Sequence, residues 1–274
     1  MALIFLLLYN ESNKNVGFLF FIFVVDSLTQ IIIMDDILRT KILNNAKEFF
    51  RNEIVNSHLD GAVNRASSLK SYKINPFLLA YLANFLDGKS TPESFAKALL
   101  YPRLLSTSIT TTFGNKVQKM ISELFDGMMG SVVQGIDIEF IDAIDGRKKY
   151  CQIKSGPNTI NKDDVKTIID HFQAVKNLAR TNNLDIRFND MIVGVLYGER
   201  TELSAHYKKI NKDFPVMAGK DFWHHLTGKE DFYFELSTAV GEVALEIDGS
   251  QKLKEAISKL SKEIKKAFPS STFD

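Results

Sequence analysis

Polar and apolar side chains alternate in two segments near the middle of the chain, on either side of Asp145-Gly146. Alternate side chains of a strand point to the same face, so the first segment presents Asp137 and Glu139 together. The second segment presents Gln152 and Lys154 in the same way. We expect these four side chains to share one face of two adjacent strands. An acid on one strand, with an amide oxygen and a lysine two residues apart on the next, suits metal-dependent cleavage of phosphodiester bonds.

This chemistry gives each of the four side chains a role. Phosphodiester hydrolysis needs an activated water molecule and stabilisation of charge on the phosphate, which carboxylates holding Mg²⁺ supply. We expect Asp137 to be the first metal ligand, with the lysine Lys154 orienting the water and offsetting developing charge. Gln152 stands where such sites commonly have a glutamate, and Glu139 would restore the negative charge that the amide lacks. The alternative is an exposed hairpin with ordinary surface charges, because this spacing is common by chance.

The elements around this pair predict an α/β fold. Asp145-Gly146 favours a tight hairpin turn, which requires residues that tolerate positive φ. Residues 191–197 form a near-continuous apolar run between Asp190 and Gly198, typical of a central strand covered on both faces. A helix between the strands is predicted to begin at Asn161, with acidic residues in its first turn. Strand, strand, helix, strand is the order of a mixed sheet flanked by helices.

Helical spacing of apolar residues dominates the part of the chain that precedes this sheet. The first predicted helix runs from Asp35 to about Ser57, and two more begin at Asn75-Pro76 and Thr91-Pro92. The middle one ends at Gly88 and has an apolar side formed by Phe77, Leu78, Tyr81, Leu82 and Phe85. We therefore expect a helical N-terminal subdomain.

The first 33 residues differ from the rest of the chain. Charged and amide residues interrupt their apolar runs, so no unbroken span reaches the roughly 20 residues of a membrane helix. No positive segment precedes the first run, which disfavours a secretory signal. We expect translation to begin at Met34, and a membrane anchor is the alternative. The predicted organisation is thus an apolar extension (1–33), a helical part (34–125), and an α/β nuclease core with a C-terminal amphipathic helix (126–274).

Composition agrees with a globular cytoplasmic protein. Hydrophobic residues make up 45% of the chain and charged residues 24%, which is ordinary for a folded domain. A net charge of +1 confines any DNA-binding surface to a local patch. The single cysteine, Cys151, excludes an intramolecular disulfide framework, and its place on the apolar face of a strand favours a core residue over a nucleophile.

Three other segments have both a functional and a structural interpretation. Residues 101–115 are rich in hydroxyl groups and predict a loop leading into a helix, whose N-terminus would bind phosphate or simply be capped. The lysines of the C-terminal helix would contact DNA phosphates or stay solvated. His224 and His225 point in different directions on a helix and cannot easily share one metal. Packing by the neighbouring Phe222 and Trp223 is the expected role of that segment.

Several short motifs carry a resemblance to a known family: Asn75–Leu78, Tyr101–Arg103, Ser106–Ile109, Phe113–Asn115, Gly135–Phe140, Tyr150–Asn161 and Phe222–Gly228. Together they resemble type II restriction endonucleases, and more narrowly the TdeIII, PmeII and MjaII group of the PD-(D/E)xK nuclease superfamily. The likeness runs from about residue 70 to about residue 245. Its most specific part is the block Cys-Gln-Ile-Lys-Ser-Gly-Pro.

The resemblance implies double-stranded DNA as substrate, Mg²⁺ as cofactor, and a homodimer that cuts a palindromic site of the GGNCC kind. It also implies a restriction-endonuclease-like core, and a cognate DNA methyltransferase in the same system that forms no stable complex with it. The superfamily pattern gives Asp137 as the metal-binding acid, Gln152 at the second acidic position, and Lys154 as the lysine. A repair or junction-resolving nuclease of the same superfamily, and a catalytically inactive DNA-binding module, are the alternatives.

Overall fold

A mixed sheet lies at the centre of the residues that the computed structural model describes, which are 35–127 and 129–268. Within them the sheet has four strands in the order β1 (Ile138–Ile141), β2 (Lys148–Lys154), β3 (Met191–Val195) and β4 (Val216–Ala218). β1 and β2 are antiparallel, whereas β2, β3 and β4 are parallel to one another. The predicted mixed sheet flanked by helices is confirmed. The predicted extension, residues 1–33, lies outside the described residues.

Helices precede, connect and follow the strands. They are α1 (Asp36–Phe49), α2 (Val63–Ala66), α3 (Pro76–Asp87), α4 (Pro92–Pro102), α5 (Ile109–Leu124), α6 (Lys162–Thr181), α7 (Ala205–Ile210), α8 (Lys220–Thr227), α9 (Phe232–Glu246) and α10 (Ser250–Ala267). π-Helical turns at Phe50–Asn56 and His58–Ala62 lie between α1 and α2, and one at Arg103–Ser108 joins α4 to α5. Among these described helices, none has the length and apolar character needed to cross a membrane.

Helix starts fall at the capping residues that the sequence indicates. The side chains of Asn75 and Thr91 each accept a hydrogen bond from a backbone N–H in the first turn of α3 and α4. Asn161 accepts from the N–H of Asp164 at 3.0 Å, and the Asp164 carboxylate accepts from the N–H of Asn161 at 2.8 Å. This reciprocal pair satisfies two N–H groups that the helix leaves unbonded, which fixes where α6 begins after β2.

The sheet separates two apolar cores. On one face, α6 and α7 bury Phe172 and Tyr207 against β3. On the other face, α1, α5, α8 and α9 surround a core that includes Ile153 and Trp223. Every residue of β3 is buried, because the strand contributes to both cores, as predicted for a central strand covered on both sides. The core roles predicted for Cys151 and for the Phe222-Trp223 pair are confirmed as well.

A third apolar core lies among the helices, where α10 packs against α4 and α2. α3 also contacts α4, but the residues that it buries there are Leu79 and Ala83. The apolar side that the sequence indicates for α3 faces solvent instead, because Phe77, Leu78, Tyr81, Leu82 and Phe85 are all exposed. Hydrophobic periodicity identifies an apolar stripe, but it does not tell whether the same chain covers that stripe.

The hydroxyl-rich segment, residues 101–115, forms helix throughout, so the loop predicted there is wrong. Pro102 is the last residue of α4, but the chain continues as a helix beyond it. Arg103 and Ser108, the first and last residues of the π-helical turn that follows, both have right-handed helical backbone angles. A π-helical turn, which pairs each N–H with a more distant carbonyl, carries the chain through to α5. No helix begins here with a free first turn, so the predicted phosphate site at a helix N-terminus is absent from this segment.

The hairpin between β1 and β2 is held by buried charges. Its turn is longer than a two-residue turn, since Asp142 bonds to Arg147 across it, and Gly146 takes the positive φ of 69°. Lys149 is 1% exposed, and its ammonium contacts the carboxylates of Asp142, Asp145 and Asp190. A buried charge is tolerated only when it is paired and hydrogen-bonded, so this network fixes the end of the hairpin opposite to Lys154.

His225, on α8, joins this network and makes it sensitive to pH. Its Nδ1 lies 2.8 Å from Asp142, and this bond raises the pKa of His225 above the ordinary 6.5 although burial opposes the shift. The stabilisation is therefore fully present below about pH 6.5 and is lost as pH rises through the raised pKa.

We expect His225→Ala to lower the free energy of unfolding by about 1.5–3 kcal/mol near pH 6, the range for hydrogen bonds to charged groups, and by less at pH 9. Urea titrations at the two pH values measure the difference. His224→Ala, a change at the neighbouring position, is the control and should have a small effect at both. An equal loss for His225→Ala at both pH values would contradict the assignment.

Candidate active site

The antiparallel hairpin brings the start of β1 next to the end of β2. Asp137 immediately precedes β1, and Lys154 is the last residue of β2. Continuing the register by one residue from the pair Ile138 and Cys151 places Asp137 opposite Gln152. The carboxyl ends of the parallel strands β2, β3 and β4 meet at this same edge of the sheet. An acid, an amide and a lysine are therefore neighbours at an edge where α/β folds commonly bind ligands.

Two hydrogen bonds hold the Asp137 carboxylate in place. One oxygen accepts from the backbone N–H of Ile153 at 2.7 Å, and the other accepts from the side-chain amide of Gln118 at 2.8 Å. The Ile153 N–H lies on the side of β2 that pairs with β1, and β1 begins too late to reach it. The Asp137 carboxylate thus accepts the hydrogen bond that a carbonyl of a longer β1 would accept from Ile153. This bond fixes the direction of the carboxylate.

The Asp137 carboxylate lies in an environment that penalises its own charge. Burial raises its pKa above the ordinary 3.8, and this effect outweighs the bond from Ile153, the positive charge of Lys154 and the bond from Gln118, all of which lower it. A cation bound beside the carboxylate would favour the ionised form. Positive charge in addition to that of Lys154 would therefore stabilise the ionised carboxylate.

Lys154 lines a cleft of about 460 Å³ between the end of β2 and α5. Opposite it, one face of α5 contributes uncharged polar side chains, namely Thr110, Thr111, Asn115 and Gln118. No carboxylate of the described residues lies within ion-pair distance of the Lys154 ammonium, although its charge acts on Asp137. The cleft therefore offers one cation and several hydrogen-bonding groups to a ligand.

The other two predicted site residues have partners of their own. Gln152 is 4% exposed, and its amide nitrogen lies 3.5 Å from the carbonyl of Ile168 and 3.4 Å from Nδ1 of His171. No described residue donates a hydrogen bond to its amide oxygen. Glu139 accepts from Ser131 at 2.6 Å and pairs with Lys148 at 2.5 Å. The structure thus places Asp137 and Lys154 at the same end of the hairpin, whereas the Gln152 side chain contacts α6 and Glu139 is bonded to Ser131 and Lys148.

His171 packs close to this site, against the loop that leads into β1. A side chain at Gly135, where φ is 80°, would lie 2.3 Å from the imidazole ring, so only glycine fits there. The ring also contacts Gln152, and its electrostatic effect reaches Asp137. His171 thereby links α6 to the segment that carries Asp137.

Gln118 is the site residue that the sequence patterns do not reveal. Its helix shows a clear apolar side, through Val117, Met120 and Ile121, and Gln118 lies among ordinary polar residues on the opposite side. The row at positions 110, 111, 115 and 118 is a recognisable polar stripe. Only the packing of α5 against β2 shows which strand that stripe faces.

The oxygen atoms that could bind a metal ion near Asp137 belong to its own carboxylate and to the hydroxyl and amide side chains that line the cleft. Among the described residues, no group of three or more His, Cys, Asp or Glu side chains is placed to hold a metal ion. Mg²⁺ is commonly bound by one or two carboxylates together with substrate phosphates and water. A carboxylate, amide oxygens and hydroxyl groups beside an open cleft fit that requirement.

Comparison with known proteins identifies the family of the chain. The family model described as type II restriction endonuclease EcoO109I matches residues 39–248, well over half of the chain. The matched range contains the whole sheet, α5, and both Asp137 and Lys154. No curated protein matches the chain significantly. The chain belongs to the type II restriction endonuclease EcoO109I family.

Proposed function

We propose that this protein is a Mg²⁺-dependent endonuclease that hydrolyses phosphodiester bonds of double-stranded DNA at a short palindromic site of the GGNCC kind. Family membership gives the general activity, a type II restriction endonuclease acting on double-stranded DNA. The observation that carries the proposal is the fixed carboxylate of Asp137 beside Lys154, which has no carboxylate partner of its own in the described residues.

In this proposal Asp137 and the amide oxygen of Gln152 hold the metal ion. The metal would supply Lewis acidity, which offsets charge on the phosphate and makes water a better nucleophile. Glu139 is a further candidate ligand, and to act it must leave Lys148 and Ser131. Type II restriction endonucleases generally use a divalent metal, and the oxygen donors of this site favour Mg²⁺ over softer ions.

Lys154 is the proposed partner of the scissile phosphate. Its ammonium would bind a phosphate oxygen and orient the attacking water by a hydrogen bond. The water oxygen would form a bond to phosphorus and give up one proton to solvent, while the bond between phosphorus and the leaving oxygen breaks and the leaving oxygen takes up a proton from solvent. The uncharged polar face of α5 would contact the sugar–phosphate backbone on the other side of the cleft, as hydroxyl and amide side chains commonly do.

The partners follow from the shape of a palindromic substrate. Two copies of the chain related by a two-fold axis would place one site on each DNA strand, so we propose a homodimer. The protein would act in the cytoplasm beside a cognate DNA methyltransferase without a stable complex between them. Membership of the TdeIII, PmeII and MjaII group, and the division into residues 34–125 and 126–274, are part of the same proposal.

Digestion of plasmid DNA of known sequence tests the proposed function. With Mg²⁺ we expect discrete fragments whose ends lie at one short palindrome, and with EDTA no cutting. A smear, or a preference for branched DNA, would support a repair or junction-resolving nuclease. Sequencing the fragment ends gives the recognition site and the cut position in one step.

A catalytically inactive DNA-binding module is the second candidate, because the site has an uncharged glutamine at the second metal position and Glu139 is paired with Lys148. A protein that binds DNA but cuts none with any divalent metal would support that candidate over the nuclease.

Gln118 provides a test of how the site is positioned. We expect Gln118→Ala to reduce cleavage about 10–100-fold at limiting Mg²⁺, the usual cost of losing a residue that orients a metal ligand. The loss should shrink at saturating Mg²⁺. Because the Gln118 bond lowers the pKa of Asp137, its removal should also move the acid limb of the pH profile to higher pH.

The control for this test is Lys119→Ala, on the next residue of α5. Lys119 pairs with Glu53, away from the cleft, so its loss should leave the Mg²⁺ dependence unchanged. An unaltered Mg²⁺ dependence and pH profile in Gln118→Ala would show that Gln118 does not position Asp137.

A further inference from the structure

The solvent face of α3 is unusually apolar for a protein surface. Phe77 is 90% exposed, Phe85 77% and Tyr81 62%, and the rings of Tyr81 and Phe85 lie 5.9 Å apart. Three leucines extend the same face, namely Leu78, Leu82 and Leu86, each between 43% and 51% exposed. At 100° per residue these six side chains cover about half of the helix surface, so they form one continuous patch rather than scattered exposed residues.

No charged residue interrupts this patch. From Pro76 to Leu86 the helix contains no Asp, Glu, Lys or Arg, and the first charge, on Asp87, is paired with Lys97 at 3.0 Å. A surface without charge requires no complementary charge on its partner, so an identical surface fits it. The opposite side of α3, through Leu79 and Ala83, is already packed in the core. The apolar patch is therefore on the side of α3 that this core leaves uncovered.

The area of the patch matches one half of a stable dimer. Three aromatic side chains of about 150–250 Å² each, exposed as stated above, and three half-exposed leucines amount to on the order of 600–700 Å² of apolar surface. Stable interfaces bury about 800 Å² per partner, and monomers rarely expose apolar patches larger than about 300–600 Å². Pairing two such faces accounts for most of a standard interface.

We propose that α3 is the homodimer interface, with the α3 faces of two copies of this chain packed on each other about a two-fold axis. A two-fold axis uses the same surface of both copies, which is what an uncharged, self-complementary helix face provides. The inference rests on the proposed function for its choice of occupant, because a palindromic DNA site calls for two copies. It adds the surface through which those copies meet.

Sedimentation equilibrium of the full chain tests the interface. We expect wild-type protein at twice the chain mass of 31.0 kDa, and Phe77→Glu to weaken association at least about 100-fold, the scale of an interface hot spot. Leu245→Glu is the matched control, since Leu245 on α9 is also 90% exposed, and it should stay dimeric. Circular dichroism checks the fold of each variant, and Phe85→Glu serves as a second variant with the same expected result.

A monomeric wild-type protein would overturn the proposal. A Phe77→Glu and a Phe85→Glu variant that both remain dimeric would also overturn it. The same experiments distinguish this proposal from the proposed nuclease activity. A dimer that depends on α3 but cuts no DNA would support the interface and contradict the nuclease activity. A dimer that does not depend on α3 but cuts DNA into discrete fragments would contradict the interface alone.

Discussion

Lys154→Ala is expected to reduce the rate of DNA cleavage at least about 100–1,000-fold, the usual cost of losing a group that stabilises transition-state charge. Lys154 is the cation at the cleft that no carboxylate of the described residues pairs with. Its removal should leave DNA binding largely intact, because one phosphate contact among many supplies little of the affinity. Single-turnover cleavage in Mg²⁺, and filter binding with Ca²⁺ in place of Mg²⁺, separate the two effects.

Two further variants sharpen this test. Lys212→Ala removes the same charge at the amino end of β4, the opposite edge of the sheet, and should cleave at the wild-type rate. Lys154→Arg keeps the charge but changes its shape and donor geometry, so we expect partial activity. Cleavage by Lys154→Ala at the wild-type rate would show that the chemistry lies elsewhere, and a parallel loss of binding and cleavage would make Lys154 a binding residue only.

Asp137→Asn should abolish metal-dependent cleavage while leaving the fold at least as stable. Lewis-acid stabilisation is worth several kcal/mol, which corresponds to a loss of roughly 10²–10³-fold or more in rate. The pKa of Asp137 is raised mainly by burial, so its ionised form destabilises the folded state above that pKa. An amide removes this penalty, and the free energy of unfolding at pH 7 should therefore be unchanged or higher.

The pH dependence follows from the same shift. The penalty on ionised Asp137 is absent below its ordinary pKa of 3.8, so any stability advantage of Asp137→Asn should vanish in acid. For the same reason, the Mg²⁺ concentration needed by the wild type should rise as pH falls through the raised pKa. Asp213→Asn, beside Lys212, is the control for both measurements. A clear loss of stability at pH 7 in Asp137→Asn would contradict the proposed electrostatics.

Local sequence patterns predict the elements that position the site because they depend on few residues. The start of α6 at Asn161 follows from its capping geometry, and the central place of β3 follows from an apolar run that only a strand covered on both faces tolerates. The hairpin also predicts that Asp137 and Lys154 lie at the same end of the sheet, because a hairpin brings the beginning of one strand beside the end of the other.

Features that depend on tertiary packing are not predictable in this way. The contact between Gln118 and Asp137 requires α5 to cross the end of β2, and no local signal specifies that crossing. Residues 101–115 predict a loop because they are polar and rich in hydroxyl groups, yet a π-helical turn continues the helix through them. The exposed side of α3 has the same periodicity as a buried one, and only the packed structure shows which residues the chain itself covers.

Mapping the bound metal on the chain tests the central claim most directly. Fe²⁺ that replaces Mg²⁺ generates hydroxyl radicals in the presence of ascorbate and peroxide, and these cut the polypeptide next to the ion. With DNA bound, the account predicts cuts beside Asp137 and beside residues 152–154, both lost in Asp137→Asn. Cuts confined to other segments, or the same cuts in wild type and Asp137→Asn, would contradict a metal site at this edge of the sheet.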